Sequence, residues 1–580
     1  MKHLRYLNIY LWKYKNILFL GLVFIFITNI FAIYPAEFVR NALNELIEKL
    51  NSQSNENSSF ILLKYGLLIV LFAVLKGVFL YMTRQTIIVM SRKIEYDLKN
   101  EVFDQYQQLS ISFYKKNKTG DLMNRITEDI TKVRMYLGPA VMYSINLIFL
   151  FSLVIYKMFS VSPTLTYYVL FPLPILAISV YFVSNRINKK SERVQAQLST
   201  VTAVAQESFS GVRIIKSFTN EENTLRVFYQ SCKEYTKRQI ALIKIEAMFI
   251  PLIITLIGVS TILTIYIGGL EVFKGNITTG NIAEFIIYVN MLAWPVASVG
   301  WVTSLIQRAA ASQERINEFL NISPNIENFV KEQTKITGNI EFKKVSLVYS
   351  DTDIKALNQI SFKIKNGEQL GIFGKTGSGK TSIVNLICRL YDPNNGEIII
   401  ENKNIKSHNL NSLRSSIGYV PQDGYLFSGT IRDNISFSSD TVDENEIILA
   451  AKKAEILDEI NSFPKKFDTV IGERGIQLSG GQRQRLAIAR VFYKKPQLYI
   501  FDDCLSAIDA NKEKKILNNL KKETSSNTTI IISHRISSLE NSNNIIVLEK
   551  GKIIEEGSHK TLIKNKGFYS QIHVNQTTNG

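Results

Sequence analysis

A chain of 580 residues is too long for one hydrophobic core, and two or three domains are expected. Three widely separated cysteines (Cys232, Cys388, Cys504) exclude a disulfide framework, and a mean hydropathy of +0.05 is high for a soluble protein of average makeup. A net charge of +18 fits nucleic acid, an anionic membrane surface or the cytoplasmic loops of a membrane protein, and only the placement of the basic residues can choose among them.

The N-terminus is basic, but the apolar run behind it ends in Tyr34-Pro35 without a small-residue cleavage site, so no removable signal is read there. Asn16 to Ala36 holds no charge, and these 21 residues suffice to cross a bilayer core of roughly 30 Å at about 1.5 Å per residue. Tyr65 to Thr83 is charged only at Lys76, Ala247 to Leu270 not at all, and Asn281 to Gln307 only at Glu284. Tyr136 to Ser184 carries one charge, Lys157, in 49 residues, enough for two passes. The predicted spans are 16–36, 62–84, 136–157, 163–184, 247–270 and 281–307; buried soluble helices do not come as six such runs in succession.

Arg84 to Arg134 and Arg186 to Lys244 hold 10 and 11 Lys plus Arg, whereas Glu37 to Lys64, the turn at Lys157, and Glu271 to Gly280 hold 3, 1 and 1. The positive-inside rule places the two basic loops and both termini in the cytoplasm, so topology accounts for most of the net charge and a nucleic-acid surface becomes the weaker reading. Each basic loop has few helix breakers, and each reads as two spans continuing as helices into the cytoplasm and meeting at a turn, at Ile111 to Asp121 and at Glu207 to Arg213. Lys76 and Glu284, inside spans, should face the bundle interior or a cavity, although a lysine can also snorkel.

Residues 1–320 therefore read as an all-α transmembrane domain, 321–338 as a polar linker, and 339–575 as an α/β domain of short β-rich runs alternating with helical segments. Within the last lies Gly374, Lys375, Thr376, Gly377, Ser378, Gly379, Lys380, Thr381, matching G-x-x-x-x-G-K-[ST] at every fixed position. The apolar strand Leu370 to Phe373 leads into a loop whose N–H groups and following helix N-terminus suit phosphate oxygens. Lys380 would meet the β- and γ-phosphates and Thr381 would ligate Mg²⁺, with Asp502, at the end of the strand Leu498 to Phe501, as a second metal ligand.

With this loop stand LSGGQ (Leu478, Ser479, Gly480, Gly481, Gln482), the lone Gln422 of YVPQ, SAID (Ser506, Ala507, Ile508, Asp509) and His534 of ISHR. In this order they resemble the nucleotide-binding domain of ATP-binding cassette transporters, and TGDLMNRITEDI (Thr119 to Ile130) and VIGERG (Val470 to Gly475) extend the resemblance to half-transporters of the bacterial exporter type, similar to lipid-A flippases and multidrug exporters. The resemblance covers the whole chain. It implies a six-helix transmembrane domain with long cytoplasmic helical extensions fused to a C-terminal P-loop ATPase domain, in the bacterial cell membrane. ATP would bind at the loop through Ser382, with Tyr349 stacking on the adenine. Gln422 would sense Mg²⁺ and the attacking water, and His534 would hold the γ-phosphate. Residues 478–482 would close on ATP held by a second subunit, making a dimer obligatory, with 506–509 communicating across it. Phe113, Tyr114 and Phe209, at the tips of the two turns, would couple the ATPase to the spans.

One position departs from the family pattern. The residue after Asp502 is usually glutamate, the base for the attacking water, and here it is Asp503, one methylene shorter. A carboxylate falling about 1 Å short of its water can cost about a hundredfold in rate. This predicts a slow site on this chain and, because its LSGGQ is complete, favours a heterodimer with a second half-transporter over a homodimer. The reading is thus an ATP-driven exporter or flippase of a hydrophobic or amphipathic substrate, the alternative an ATP-gated regulator or channel of the same architecture. A cassette ATPase acting on nucleic acid conflicts with the spans, and a peptidase-bearing peptide exporter with the absence of a domain before the first of them.

Overall fold

Six helices long and apolar enough to cross a membrane run through the first half of the chain: Lys15–Leu50, Ser59–Gln108, Thr119–Val161, Pro163–Ser210, Glu221–Phe273 and Thr279–Leu320. They were obtained in a computed structural model that describes residues 2–51, 58–439, 441–472, 475, 478–506, 508–523 and 527–578. Every predicted span falls inside one of these helices, and four of the six continue well beyond the apolar stretch, as the long basic loops required. Packing divides the chain into two units, residues 1–107 with 120–322, and residues 108–119 with 323–580.

In the first unit the core forms where small and branched residues of several helices meet, with Ile33, Ala36, Val154, Met158, Val169 and Phe285 all buried. Polar ties accompany it. Glu284 is fully buried and accepts from Arg40 at 3.1 Å and from the Tyr288 hydroxyl at 2.9 Å, and Lys157 pairs with Glu37. A buried carboxylate must be paired in this way, because its desolvation is otherwise uncompensated. Where the helices continue beyond their apolar stretches, fully buried Asp129 accepts from Ser312 at 2.8 Å and from Arg315 Nε at 3.0 Å. Pro139 lies inside a π-helical turn at Tyr136–Ala140, where the widened ring accommodates a residue with no N–H to give.

The two expected turns differ from their sequence reading. The first contains a short helix, Ile111–Lys116, in which Phe113 is half-buried and Tyr114 is exposed. The second lies further along: the helix runs to Ser210, bends at Gly211, forms Val212–Ser217 and breaks only before Glu221. Phe209 sits on the last helical turn, 78% exposed.

The second unit holds two main sheets. One is antiparallel, in order β2-β1-β4-β5, from Ile340–Val348 (β1), Lys355–Ile364 (β2), Asn395–Ile400 (β4) and Lys403–Asn404 (β5). The other has order β12-β11-β3-β10-β9-β6, from Gln369–Gly374 (β3), Ile417–Val420 (β6), Leu498–Asp502 (β9), Thr528–Ile532 (β10), Asn544–Glu549 (β11) and Lys552–Gly557 (β12). A small pair, Gly429–Thr430 (β7) and Val470–Ile471 (β8), completes it. The β-rich runs of the sequence form β1 to β4, β6 and β9 to β11; β5, β7 and β8 are only two residues long and β12 is polar, too little for an apolar run to mark them. In the larger sheet β11, β3, β10, β9 and β6 are mutually parallel, which demands helical crossovers and buries both faces.

Candidate functional site

Parallel strands in register deliver their following loops to one edge of a sheet. Ile532 pairs with Ile372 on one side and Asp502 on the other, and Val420 with Phe501. The loops after β3, β10, β9 and β6 therefore emerge together, carrying the phosphate loop, His534, Asp502 with Asp503, and Gln422. Ligands of open α/β sheets bind in such a crevice.

The loop after β3 folds as its glycines dictate. Gly379 has φ +101°, and a Cβ there would lie 2.4 Å from the carbonyl oxygen of Ala356, so both conformation and space require glycine. The helix Lys380–Ile387 follows at once. Lys380 is 7% exposed and donates through Nζ to the carbonyl oxygens of Gly374 at 2.7 Å and Lys375 at 2.9 Å, with His534 Nε2 at 3.4 Å. Burial holds its ammonium below the ordinary lysine range, opposed by the charges of Asp503 and Asp502. The hydroxyl of Ser378 is buried without a hydrogen-bond partner. An orphaned donor inside a loop of convergent N–H groups, beside a buried lysine, fits an anion of phosphate type.

Asp502 is buried at the end of β9, and burial raises its carboxyl above the usual range even though the Thr381 hydroxyl lies against it and opposes the shift. The oxygens of Thr381 and Asp502, a donor type that suits a hard cation, are thereby side by side. Asp503 has φ +46°, a left-handed conformation rare for aspartate. Its Oδ2 lies 3.4 Å from Gln422 Nε2 and 3.9 Å from His534 Nε2. Gln422, Asp503, His534 and Lys380, scattered over more than 150 residues, thus form one connected group.

Tyr349 stands at the end of β1, its hydroxyl 2.9 Å from Ser382 Oγ and 3.3 Å from Asn385 Nδ2, and its ring edge-to-face with Tyr391 at 5.0 Å. The ammonium of Lys115, from the short helix of the first turn, lies over both rings at 4.8 and 5.3 Å. Ser479 caps the helix Gly480–Lys494, accepting from Gln482 N at 3.2 Å while Gln482 Oε1 accepts from Ser479 N at 2.8 Å. Among the described residues no hydrogen bond or ion pair joins 478–482 to the chain's own phosphate loop, which leaves the exposed Ser479 and Gly480 facing outward. Ser506 donates to the carbonyl of Asp503 at 3.0 Å, and Asp509 caps its own turn through Asn511 N at 3.1 Å. Ala507, Glu473 and Arg474 lie outside the described residues.

The sequence reading missed the brace behind His534. Arg535 donates to Glu513 at 2.6 Å and to the carbonyl of Ser506 at 3.0 Å, while Gln576 donates to the carbonyl of His534 at 2.8 Å and accepts from Ile536 N at 3.0 Å. Arg535 and Ser506 stand in the ISHR and SAID runs, but Glu513 and Gln576 belong to no motif and lie 22 and 42 residues from Arg535 and His534.

Comparison with known proteins agrees with this architecture. Residues 18–296 match the family described as the ABC transporter transmembrane region, and residues 357–506 the ABC transporter family. A Bacillus subtilis protein described as an uncharacterized ABC transporter ATP-binding protein is 32% identical over 576 residues, covering 99% of this chain and 97% of its own length. The ATP-dependent lipid A-core flippase of Syntrophus aciditrophicus is 34% identical, covering 87% and 84%, and the multidrug resistance-like ATP-binding protein MdlA of Escherichia coli 31%, covering 87% and 86%. A bacterial Atm1-family ABC exporter with ATP bound shares the fold, with a TM-score of 0.79, 23% identity and coverage of 96% and 98%. The chain belongs to the ATP-binding cassette transporters, as a multi-pass membrane protein whose transmembrane region is fused to an ATP-hydrolysing domain and which works as a dimer.

Proposed function

We propose that the chain is one half of an exporter or flippase that moves an amphipathic substrate out of the cytoplasm or inner leaflet of the cell membrane, with both termini cytoplasmic. The convergence of Lys380, Gln422, Asp503 and His534 at one sheet edge carries the ATPase part of this reading. ATP would lie on residues 374–382 with its adenine at Tyr349, and Mg²⁺ would be held by Thr381, Gln422 and Asp502, supplying charge neutralisation at the β- and γ-phosphates. Asp503 would accept the proton of the attacking water, Gln422 and His534 would orient the reacting groups, and residues 478–482 would close the site of the second subunit. ATP binding would draw the two ATPase domains together, and hydrolysis would release them. The turns bearing Phe113, Tyr114 and Phe209 would pass that motion to the spans. The ATP-gated channel is not favoured, because the relatives with printed activities are a flippase and multidrug resistance proteins.

Two adjoining cavities in the first unit support the substrate class. One, of about 430 Å³, is lined by Asn29, Lys76, Arg84 and Asn146; the other, of about 500 Å³, by Trp294 and Trp301, and Tyr143 and Trp294 border both. Lys76 and Arg84, two helical turns apart on one face, pair with no acidic group among the described residues. Cations beside an aromatic-walled cavity suit an amphiphile with an anionic group. Glu284, by contrast, is consumed by Arg40 and lines neither cavity.

In inside-out vesicles, ATP-dependent movement should favour an anionic fluorescent lipid over its zwitterionic counterpart with the same chains, and Lys76→Gln with Arg84→Gln should remove the preference. Nucleotide-independent equilibration would reject export. The heterodimer rests on Asp503 set beside a complete LSGGQ and is tested by purifying the chain by itself: brisk, substrate-stimulated ATPase that Asp503→Glu does not raise would reject it.

A further inference from the structure

Outside the nucleotide site, three side chains from three separate elements of the second unit converge. Glu540 lies in the turn that follows Ile536–Ser538, His559 begins the helix His559–Lys564, and His573 lies on the helix Phe568–Thr578. One ligand atom from each lies within 4.8 Å of the other two, and no other group of three His, Cys, Asp or Glu does so among the described residues. Two of the five histidines in 580 residues are spent here. Because the elements are distinct, tertiary packing and not helical spacing brings the three together.

The surroundings orient the first histidine. His559 Nδ1 lies 2.9 Å from the hydroxyl of Tyr569, and that tyrosine is fully buried, so its oxygen is a fixed partner. With the Nδ1 proton given to this oxygen, Nε2 keeps a free lone pair. An imidazole whose second nitrogen is held by a buried partner is how ligating histidines are aligned. The ring of His573 meets that of His559 at 5.5 Å and 69°, so the two present their edges at an angle and are not stacked face to face. Glu540 is exposed, leaving access for an ion from solvent.

We propose that Glu540, His559 and His573 bind a divalent transition-metal ion of the Zn²⁺ type. Two imidazole nitrogens and one carboxylate oxygen are a borderline donor set that suits Zn²⁺ and disfavours Mg²⁺ and Ca²⁺, which require mainly oxygen. Three protein ligands leave a fourth position for water. At metal–ligand distances of about 2.0–2.2 Å, tetrahedral ligand atoms stand roughly 3.3–3.6 Å apart, so side-chain closure of about 1 Å completes the site.

The ion has a mechanical consequence. Gln576 follows His573 on the same helix and bonds both the carbonyl of His534 and the N–H of Ile536. Joining His573 to Glu540 pins that helix to the segment that carries His534. The metal is a clamp on the positioning of His534, distinct from the Mg²⁺ of the nucleotide site.

The test uses the full-length dimer without a polyhistidine tag, stripped with chelator and titrated with Co²⁺ alone, in the absence of nucleotide. The expected result is one equivalent per chain with the visible absorption of a tetrahedral ion, displaced by Zn²⁺. Glu540→Gln keeps size and shape at an exposed position and should weaken binding at least tenfold, and His573→Asn likewise. Amide exchange at Ile536 should slow on Zn²⁺ loading in the wild type and not in Glu540→Gln. Absence of a saturable Co²⁺ band, or a band unchanged in both variants, overturns the site. Since no step needs ATP or transport, that failure leaves the exporter reading untouched.

Discussion

At Asp503 a left-handed backbone, which costs a non-glycine residue of order 1 kcal/mol or more, is held by the hydrogen bond from its own N–H to the carbonyl of Ile532 at 2.9 Å. The side chain is left free to face Gln422 and His534. Asp503→Asn keeps the shape and removes the proton acceptor, so ATP turnover should fall about a hundredfold or more while ATP binding, read by fluorescent-nucleotide titration, persists. Lys380→Ala should abolish turnover without affecting membrane insertion, because the loop's other lysine, Lys375, sets its ammonium over the Phe568 ring at 5.3 Å and not among the loop carbonyls; near-normal ATPase in the purified variant would contradict this. Glu401 offers a pH test. Burial pushes its carboxyl up, but the donors of Asn339 and Thr337 outweigh this and lower it from 4.5 to about 2. A depressed carboxylate stabilises the fold above its unfolded pKa, so this contribution should fade as pH falls from about 4.5 toward 2, and Glu401→Gln should flatten the acid limb of thermal stability over that window. The phosphate loop was legible because its residues are consecutive; the Arg535–Glu513 tie was not, because its partners lie 22 residues apart without a local pattern.

Among the elements, the spans were legible from uncharged runs alone, since a bilayer leaves backbone groups no partner but their own helix. The second turn was misplaced. Gly211 reads as a terminator, yet its φ of −92° only bends the chain and a further helical turn follows. Replacing Phe113, Tyr114 and Phe209 together with alanine should leave basal ATPase and remove its stimulation by substrate; stimulation that survives would place the coupling surface elsewhere. Arg40→Ala strands the buried Glu284 and should destabilise the membrane unit by about 3–5 kcal/mol, seen as a lowered midpoint in detergent melting, with Glu284→Gln in the Arg40→Ala background recovering much of it.

For the whole molecule, the asymmetry of Lys and Arg between its loops is the feature that orients the spans. Against a background lacking Cys232, Cys388 and Cys504, Lys274→Cys should react with an impermeant maleimide in intact cells, and Lys118→Cys only after permeabilisation. The opposite pattern would invert the topology. What sequence could not show is that residues 108–119 pack with 323–580, although more than 200 residues of chain separate the two. Lys115 over Tyr349 and Tyr391, and Asn325 donating to Ser112 at 3.2 Å, are the visible stitches. The covalent border of the ATPase domain and its packing border therefore do not coincide. A protease that nicks only the stretch 321–338 should yield two bands on a denaturing gel but a single species on a sizing column. A recombinant fragment beginning at 323 would carry a bare aromatic patch where its borrowed helix belongs, making it prone to self-association.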